Sequence, residues 1–239
     1  LVKAEVLDNA EKGAQMARGL TRAGGDIAAG AVRKPGILTP SVPPDIGYRS
    51  QRQRILTAMA KSCAEKTFAT TTITDIVGHA SISRATFYKH FANKQECFYA
   101  AADGFLVELQ GAAAVAYERS ADSHVDAVRD VISAVLELLA AKPDYAKLLL
   151  IDAPIVDPEI VRRYRNFVIG ALEEKLQAGE SARDTRADPE IAFGRAKVLI
   201  AGHIVAGETL HTLLPELVYI ALLPYSGQEA ALAQAQRTR

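Results

Sequence analysis

Tryptophan is absent from this chain, methionine and cysteine occur twice each, and aromatic residues make up only 6% of its 239 positions. With 49% hydrophobic residues, dominated by Leu and Ala, this is the composition of a soluble helical protein. Cys63 and Cys97 are too few for a disulfide framework and too far apart for a Cys-x-x-Cys metal or redox motif. Both fall in helical segments, so two buried thiols in a reducing compartment are expected. No basic segment followed by an apolar one marks the N-terminus for export, and the expected location is cytoplasmic. The most apolar stretch, 198–223, is interrupted by His203, Glu208, His211, Pro215 and Glu216. That makes it a poor membrane span and a good buried helix pair, so no membrane partner is expected.

Catalytic signatures are missing as well. There is no Gly-x-Ser-x-Gly, no Gly-x-Gly-x-x-Gly after a strand, no phosphate-binding Walker loop and no His-Glu-x-x-His. Paired carboxylates such as Glu173 and Glu174 read as a solvated helix face. His203, Glu208 and His211 lie near one another, but no two histidines have the i, i+4 spacing of a zinc site. Neither enzyme activity nor a metal nor a cofactor is expected.

Net charge is also absent, with 28 basic and 28 acidic residues, yet the distribution is uneven. Residues 48–95 hold Arg49, Arg52, Arg54, Lys61, Lys66, Arg84, Lys89 and Lys94 against Glu65 and Asp75, a net of +6. Residues 96–239 carry 14 basic and 21 acidic residues, a net of −7. A basic segment on an acidic body is the electrostatic footprint of a DNA-binding module attached to something else.

Three parts follow from the punctuation. Residues 1–47 form an arm, with a possible amphipathic helix over 2–22 and then a linker rich in glycine and proline (Gly24, Gly25, Gly30, Pro35, Gly36, Pro40, Pro43, Pro44). Residues 48–95 and 96–239 are helical in period throughout, and nine helices are expected after the arm. Ser123 offers an N-cap, Pro143 stops the helix that follows, and a short helix over 144–152 should end at Pro154. Asp157-Pro158-Glu159 and Asp188-Pro189-Glu190 share one start signature, with the second helix running to about Leu214. A last helix from Pro215 should kink or end at Pro224, with the tail from Tyr225 fraying.

Between Thr72 and Glu96 the pattern becomes specific. Thr72 can cap a helix with Asp75 as its box partner, and Ile73, Ile76, Val77 and Ala80 supply an inward face. Ser81-Ile82 is a turn, Ser83 caps a second short helix from Arg84 to about Phe91, and Phe87 and Phe91 face the core. This is a helix-turn-helix. Its outer face offers Thr72, Thr74, Ser83, Arg84, Ala85, Thr86, Tyr88, Lys89 and His90 to a DNA groove. Arg84 suits guanine O6 and N7, whereas Tyr88, Lys89 and His90 suit phosphates. Asn93 caps the next helix with Glu96, and Lys94 at its start is an expected phosphate clamp.

Thr72–Ile76, Ile82-Ser83, Phe87-Tyr88-Lys89-His90-Phe91 and Asn93-Lys94-Gln95-Glu96 resemble the N-terminal domain of the TetR family of bacterial transcriptional regulators. The resemblance covers roughly residues 50–98. It implies an all-α fold: a three-helix DNA-binding domain followed by a larger helical domain for ligand binding and dimerisation. It also implies a homodimer on palindromic double-stranded DNA, a repressor released by a small ligand, DNA contacts at Ser83, Arg84, Thr86, Tyr88, Lys89 and His90, and a phosphate contact at Lys94. The family commonly has Ala-Gly-Val-Ser at the turn, whereas this chain has Ala80-Ser81-Ile82-Ser83. If that position needs a positive φ, Ser81 adopts it at some strain. The alternative kept open is a ligand-independent architectural or protein-interaction factor on DNA.

The body supplies two further sets. Apolar and small residues over 196–222 exceed what one small domain can hide, and Ala201, Ile204, Val205, Glu208, Leu217 and Ile220 are the expected dimer interface. Phe105, Leu109, Tyr117, Tyr145, Tyr164, Phe167, Phe193 and His203 are candidates to line a pocket for an unknown small apolar or aromatic ligand.

Overall fold

Proline, glycine and short polar caps divide the chain into helices, and among the described residues every regular element is helical. The structure is a computed structural model that describes residues 44–120, 123–176 and 187–238. The helix expected over 2–22 and most of the arm lie outside the described residues. Helix α1 spans Pro44–Lys66, α2 Ile73–Ala80, α3 Arg84–His90 and α4 Lys94–Arg119. Next come α5 (His124–Ala141), α6 (Pro143–Lys147), a π turn (Leu148–Asp152), α7 (Ala153–Val156) and α8 (Pro158–Leu176). The chain closes with α9 (Pro189–Ala206), a 3₁₀ turn (Leu210–Leu213) and α10 (Leu214–Gln236). No helix among the described residues is long and apolar enough to cross a membrane.

The capping signals act where they were read. Thr72 and Asp75 form the reciprocal box at α2. Ser83 accepts from the Thr86 N–H, Asn93 from Glu96 and Ser123 from Asp126. Asp157 and Asp188 accept from the N–H of Glu159 and Glu190 at 2.9 and 2.8 Å, with a proline in the first turn of each helix. Each bond satisfies one of the N–H groups that a helix start leaves without an internal partner.

Four boundaries differ from expectation, the first being the start of α1 at Pro44, inside the segment read as linker. Helix α9 stops at Ala206 because Gly207, at φ 70°, takes the left-handed cap whose N–H returns to His203 and Ile204 carbonyls. Pro154 does not end its helix: it sits in the first turn of α7, and the π turn before it widens the backbone there. The C-terminal tail does not fray as far as Gln236. The helix breaks at Gly227 (φ 76°, ψ 172°), and the segment beyond it packs through buried Ala231, Gln234 and Ala235. Gln234 Nε2 donates to Asp126 Oδ1 at 2.8 Å, tying this segment to the start of α5.

One apolar core runs from Ile55 and Met59 in α1 through Ile76, Phe87, Phe98, Phe105 and Leu136 to Val218 and Leu222 in α10. Both cysteines lie in it, and burial pushes the Cys63 thiol up to about 12 and raises Cys97 likewise. The α1–α2 connection is held by Lys94, whose Nζ donates to the Phe68 and Thr71 carbonyls at 2.8 Å each and lies 4.2 Å from the Phe68 ring centroid. Two residues in this region occupy the left-handed backbone region without being glycine: Thr67 (φ 73°), just past α1, and Ser81 (φ 51°), the C-cap of α2.

Two stability changes are expected. Lys94→Met removes a charged donor and leaves two loop carbonyls short of a partner, lowering stability by about 2–3 kcal/mol; a denaturant midpoint equal to wild type would contradict this. Ser81→Gly relieves a left-handed conformation that costs an L-residue roughly 1–2 kcal/mol, offset in part by greater freedom of the unfolded chain. A rise of up to about 1 kcal/mol is expected by the same denaturation measurement, with the slope unchanged.

Candidate functional site

Helix α3 has seven residues, too few to persist alone, and depends on the packing of one face. Phe87 at 0% and Phe91 at 2% exposure anchor it. The opposite face presents Arg84, Ala85, Tyr88 and Lys89 to solvent, with Thr86 half-buried. Exposed Thr72 and Thr74 at the start of α2 join this surface, because Arg84 Nη2 donates to Thr74 Oγ1 and links the two helix starts. Lys66 bridges to Asp75 at 2.7 Å, and with the Thr72 bonds it holds that carboxyl well below the usual carboxylate range. The α2 corner is thereby fixed by groups away from Arg84, Tyr88 and Lys89.

Three of the expected contacts have other partners. Lys94 directs its ammonium inward to Phe68 and Thr71, so the reading of this residue as a phosphate clamp is corrected to a structural staple. His90 is half-buried, its ring 4.1 Å from that of Tyr48 and its Nε2 3.4 Å from Gln51 Oε1. Burial, with Arg52 and Lys89 nearby, lowers its pKa and favours the neutral ring, which fills the space between α1 and α3. Ser83 Oγ serves the Thr86 N–H at 3.0 Å and lies 3.0 Å from the Thr86 hydroxyl, so its main work is capping.

Sequence reasoning missed three groups. Arg54 Nη2 donates to the Ala80 and Ser81 carbonyls and closes the C-terminal end of α2. Tyr48 and Gln51 bring the start of α1 beside the end of α3. Buried Asp152 in the π turn accepts from the Phe68 N–H at 2.7 Å, across 84 residues of sequence. Nothing local marks any of these, since each depends on which helices meet.

The body holds a partly open cavity of about 570 Å³, walled by α4, α5, the π turn, α8, α9 and α10. Five of the candidate pocket residues line it: Leu109, Tyr117, Tyr164, Phe167 and Phe193. Phe105, Tyr145 and His203 do not. The Phe105 and Tyr145 rings pack together at 5.3 Å, the Tyr145 hydroxyl lies 3.4 Å from that of Thr57, and His203 pairs with Glu208 at 3.3 Å. The wall that was not foreseen is aliphatic and comes largely from α5, the π turn and α10, including Val128, Ile132, Leu149, Leu150 and Leu217. No cluster of potential metal ligands occurs among the described residues.

Helix α9 has two apolar sides. Phe193, Ala196 and Ile200 face the cavity, whereas Ile191, Val198 and Val205 are 64%, 66% and 71% exposed. Leu217 and Ile220, expected at the dimer interface, are instead buried within the chain and line the cavity wall from α10. Ala201 and Ile204 are half-buried, and Glu208 is exposed.

Residues 55–101 match the family model for bacterial regulatory proteins of the tetR family. A sequence comparison with curated proteins finds no match. Among solved structures, the fatty acid degradation regulator FadR from Bacillus halodurans superposes with a TM-score of 0.62 at 16% identity, covering 75% of this chain and 96% of that one. FadR from Bacillus subtilis, solved in complex with stearoyl-CoA, gives 0.57 at 20% identity, covering 73% and 98%. CprB from S. coelicolor A3(2), a TetR family protein, gives 0.53 at 20% identity, covering 79% and 97%. At these identities the likeness is one of fold: an all-α chain with a helix-turn-helix followed by a helical body. Residues 55–101 thus match the model of the tetR family of bacterial regulatory proteins, and the helices around and beyond them share the fold of these solved structures.

Proposed function

We propose that this protein is a homodimeric repressor that leaves a palindromic operator when a small apolar molecule enters the cavity of its body. The observation that carries the reading is the pairing, in one chain, of an exposed Arg84–Tyr88–Lys89 face with a largely aliphatic cavity of about 570 Å³. Residues 48–95 act as the reader and residues 96–239 as the sensor and pairing surface. Arg84 reads a base edge in the major groove with Thr86 beside it, and Tyr88 and Lys89 hold phosphates. Thr72, Thr74 and Ala85 complete the contact surface.

The homodimer rests on the outer stripe of α9. Val198 and Val205 lie seven apart with Gly202 between them, so a second helix can approach closely along that line. Two copies paired there would present two readers to a two-fold symmetric operator. Ligand responsiveness has support in the stearoyl-CoA complex of the B. subtilis neighbour, whose fold is similar. The signal passes through the π turn. Leu149 and Leu150 stand on the cavity wall, and two residues on Asp152 holds the Phe68 N–H beside the reader. A ligand with different affinity for two positions of that turn shifts the reader between them.

Operator binding and pairing are separately testable. Arg84→Ala should cost roughly 1–3 kcal/mol at one base position and relax specificity there, while Lys89→Ala should weaken all sequences alike and reduce the salt slope. Salt-controlled shift assays on operator fragments selected from genomic DNA would measure both; wild-type behaviour in the two variants would sink the groove assignment. Val198→Glu should convert a micromolar dimer to monomer in equilibrium sedimentation, with helical content unchanged. A wild-type chain that sediments as a monomer would remove the pairing.

A further inference from the structure

The cavity has an apolar interior, and its charged lining residues keep contact with water. Every lining residue that is itself buried is apolar, from Leu109 on α4 and Val128 on α5 to Leu149 in the π turn and Leu217 on α10. Tyr225 also belongs to the wall, but its phenol oxygen is sealed by protein and out of a ligand's reach. Tyr164 stands edge-on to Phe193 at 5.7 Å, and burial pushes its phenol up to about 12, so it carries no charge at neutral pH. Two lining residues are charged: Glu118, which is exposed, and Lys197, which is half-buried. A lysine in that position lays its stem along an apolar wall and keeps its ammonium hydrated.

The exposure of the wall shows where the cavity opens. Arg163 on α8 meets Asp103 on α4 at 3.3 Å and ties the two helices together. Further along both helices, Ala114 and Glu118 on α4 and Phe167 and Ala171 on α8 line the cavity and are exposed. No other lining residue is exposed. Among the described residues the opening therefore lies between α4 and α8, beyond the Asp103–Arg163 pair.

An ionised head group drawn into this interior would lose its hydration and find no charge to pair with. A hydrocarbon tail left in water would forgo the gain from each buried methylene. An opening between two helices lets one molecule meet both demands. Glu118 and Lys197 have opposite signs, so the cavity has no net charge preference. Resting on the ligand-responsive reading above, we infer that the cavity takes a single-chain amphiphile whose tail fills the interior and whose head group stays in solvent between α4 and α8. It selects the length of the tail and not the charge of the head. The volume of about 570 Å³ is within the range of small-molecule sites.

The test uses the full chain, with probes kept below their micelle-forming concentrations and binding measured by isothermal titration calorimetry. From octanoate to dodecanoate, affinity should rise about fourfold per added methylene. Decanoate, 1-decanol and decyltrimethylammonium should agree within about fivefold, the most that exposed charges at the edge contribute. Decanedioate, charged at both ends, should bind roughly a hundredfold more weakly than decanoate, because one end must be buried. The chain has no tryptophan, so Phe167→Trp places a single fluorophore at the opening. Its emission should be quenched more by 2-bromodecanoate than by 10-bromodecanoate. A flat chain-length series, a clear preference for one head group, decanedioate binding as tightly as decanoate, or stronger quenching by the tail bromide would each overturn the inference while leaving a ligand-binding body. If no probe binds a wild-type chain that still holds its operator, the ligand-responsive reading falls and this inference with it.

Discussion

The structure depends on how the α1–α2 connection is held at Phe68. Its carbonyl accepts from Lys94, its N–H donates to Asp152, and its ring stands edge-on to Phe98 at 4.7 Å. Three distant elements (the end of α1, the start of α4 and the π turn) thus converge on one residue. A connecting segment this close to the core must find partners for its backbone groups, because water cannot reach all of them. The protein meets that demand with two ionisable side chains from elsewhere in the chain. Asp152 shows the cost: burial raises its pKa, and the Phe68 N–H offsets only part of that rise.

This arrangement joins the helix-turn-helix to the body without a separate hinge. Helix α4 begins at the Lys94 staple and continues to Arg119, where its far half walls the cavity through Leu109 and Ala113. The π turn has the cavity on one side, at Leu149 and Leu150, and Phe68 on the other, at Asp152. A π turn is a strained way to continue a helix and commonly marks a functional position. It is also a short lever, since Leu150 and Asp152 are only two residues apart.

Local features were legible in the sequence, and features set by tertiary packing were not. Thr72, Ser83, Asn93, Asp157 and Asp188 announce their helix starts because a cap needs only residues within three positions. Phe87 and Phe91 were readable as core by their spacing. Lys94 was misread because a cation at a helix start suits a phosphate equally well until the fold puts two loop carbonyls beside it. Leu217 and Ile220 were misplaced for a similar reason: an apolar helix face does not say whether its partner is the same chain or a second copy. Gly207 was passed over because the apolar period continues through it into the 3₁₀ turn, and only its positive φ shows where α9 stops.

Helix α9 carries the remaining consequence. A helix apolar on both sides is ordinarily buried on both. In this chain one side is covered by the cavity wall, and the other leaves Val198 and Val205 more than half exposed. The two sides share one rigid element, so a displacement of Phe193 or Ile200 by cavity contents is also a displacement of the outer stripe. If two copies pair along that stripe, the separation of their readers depends on the angle at which the stripes cross. In the function proposed above, cavity contents then act on the operator by two routes, through the π turn within a chain and through α9 between chains. The routes differ in what they require: the first works in a single chain, and the second only when the chains are paired.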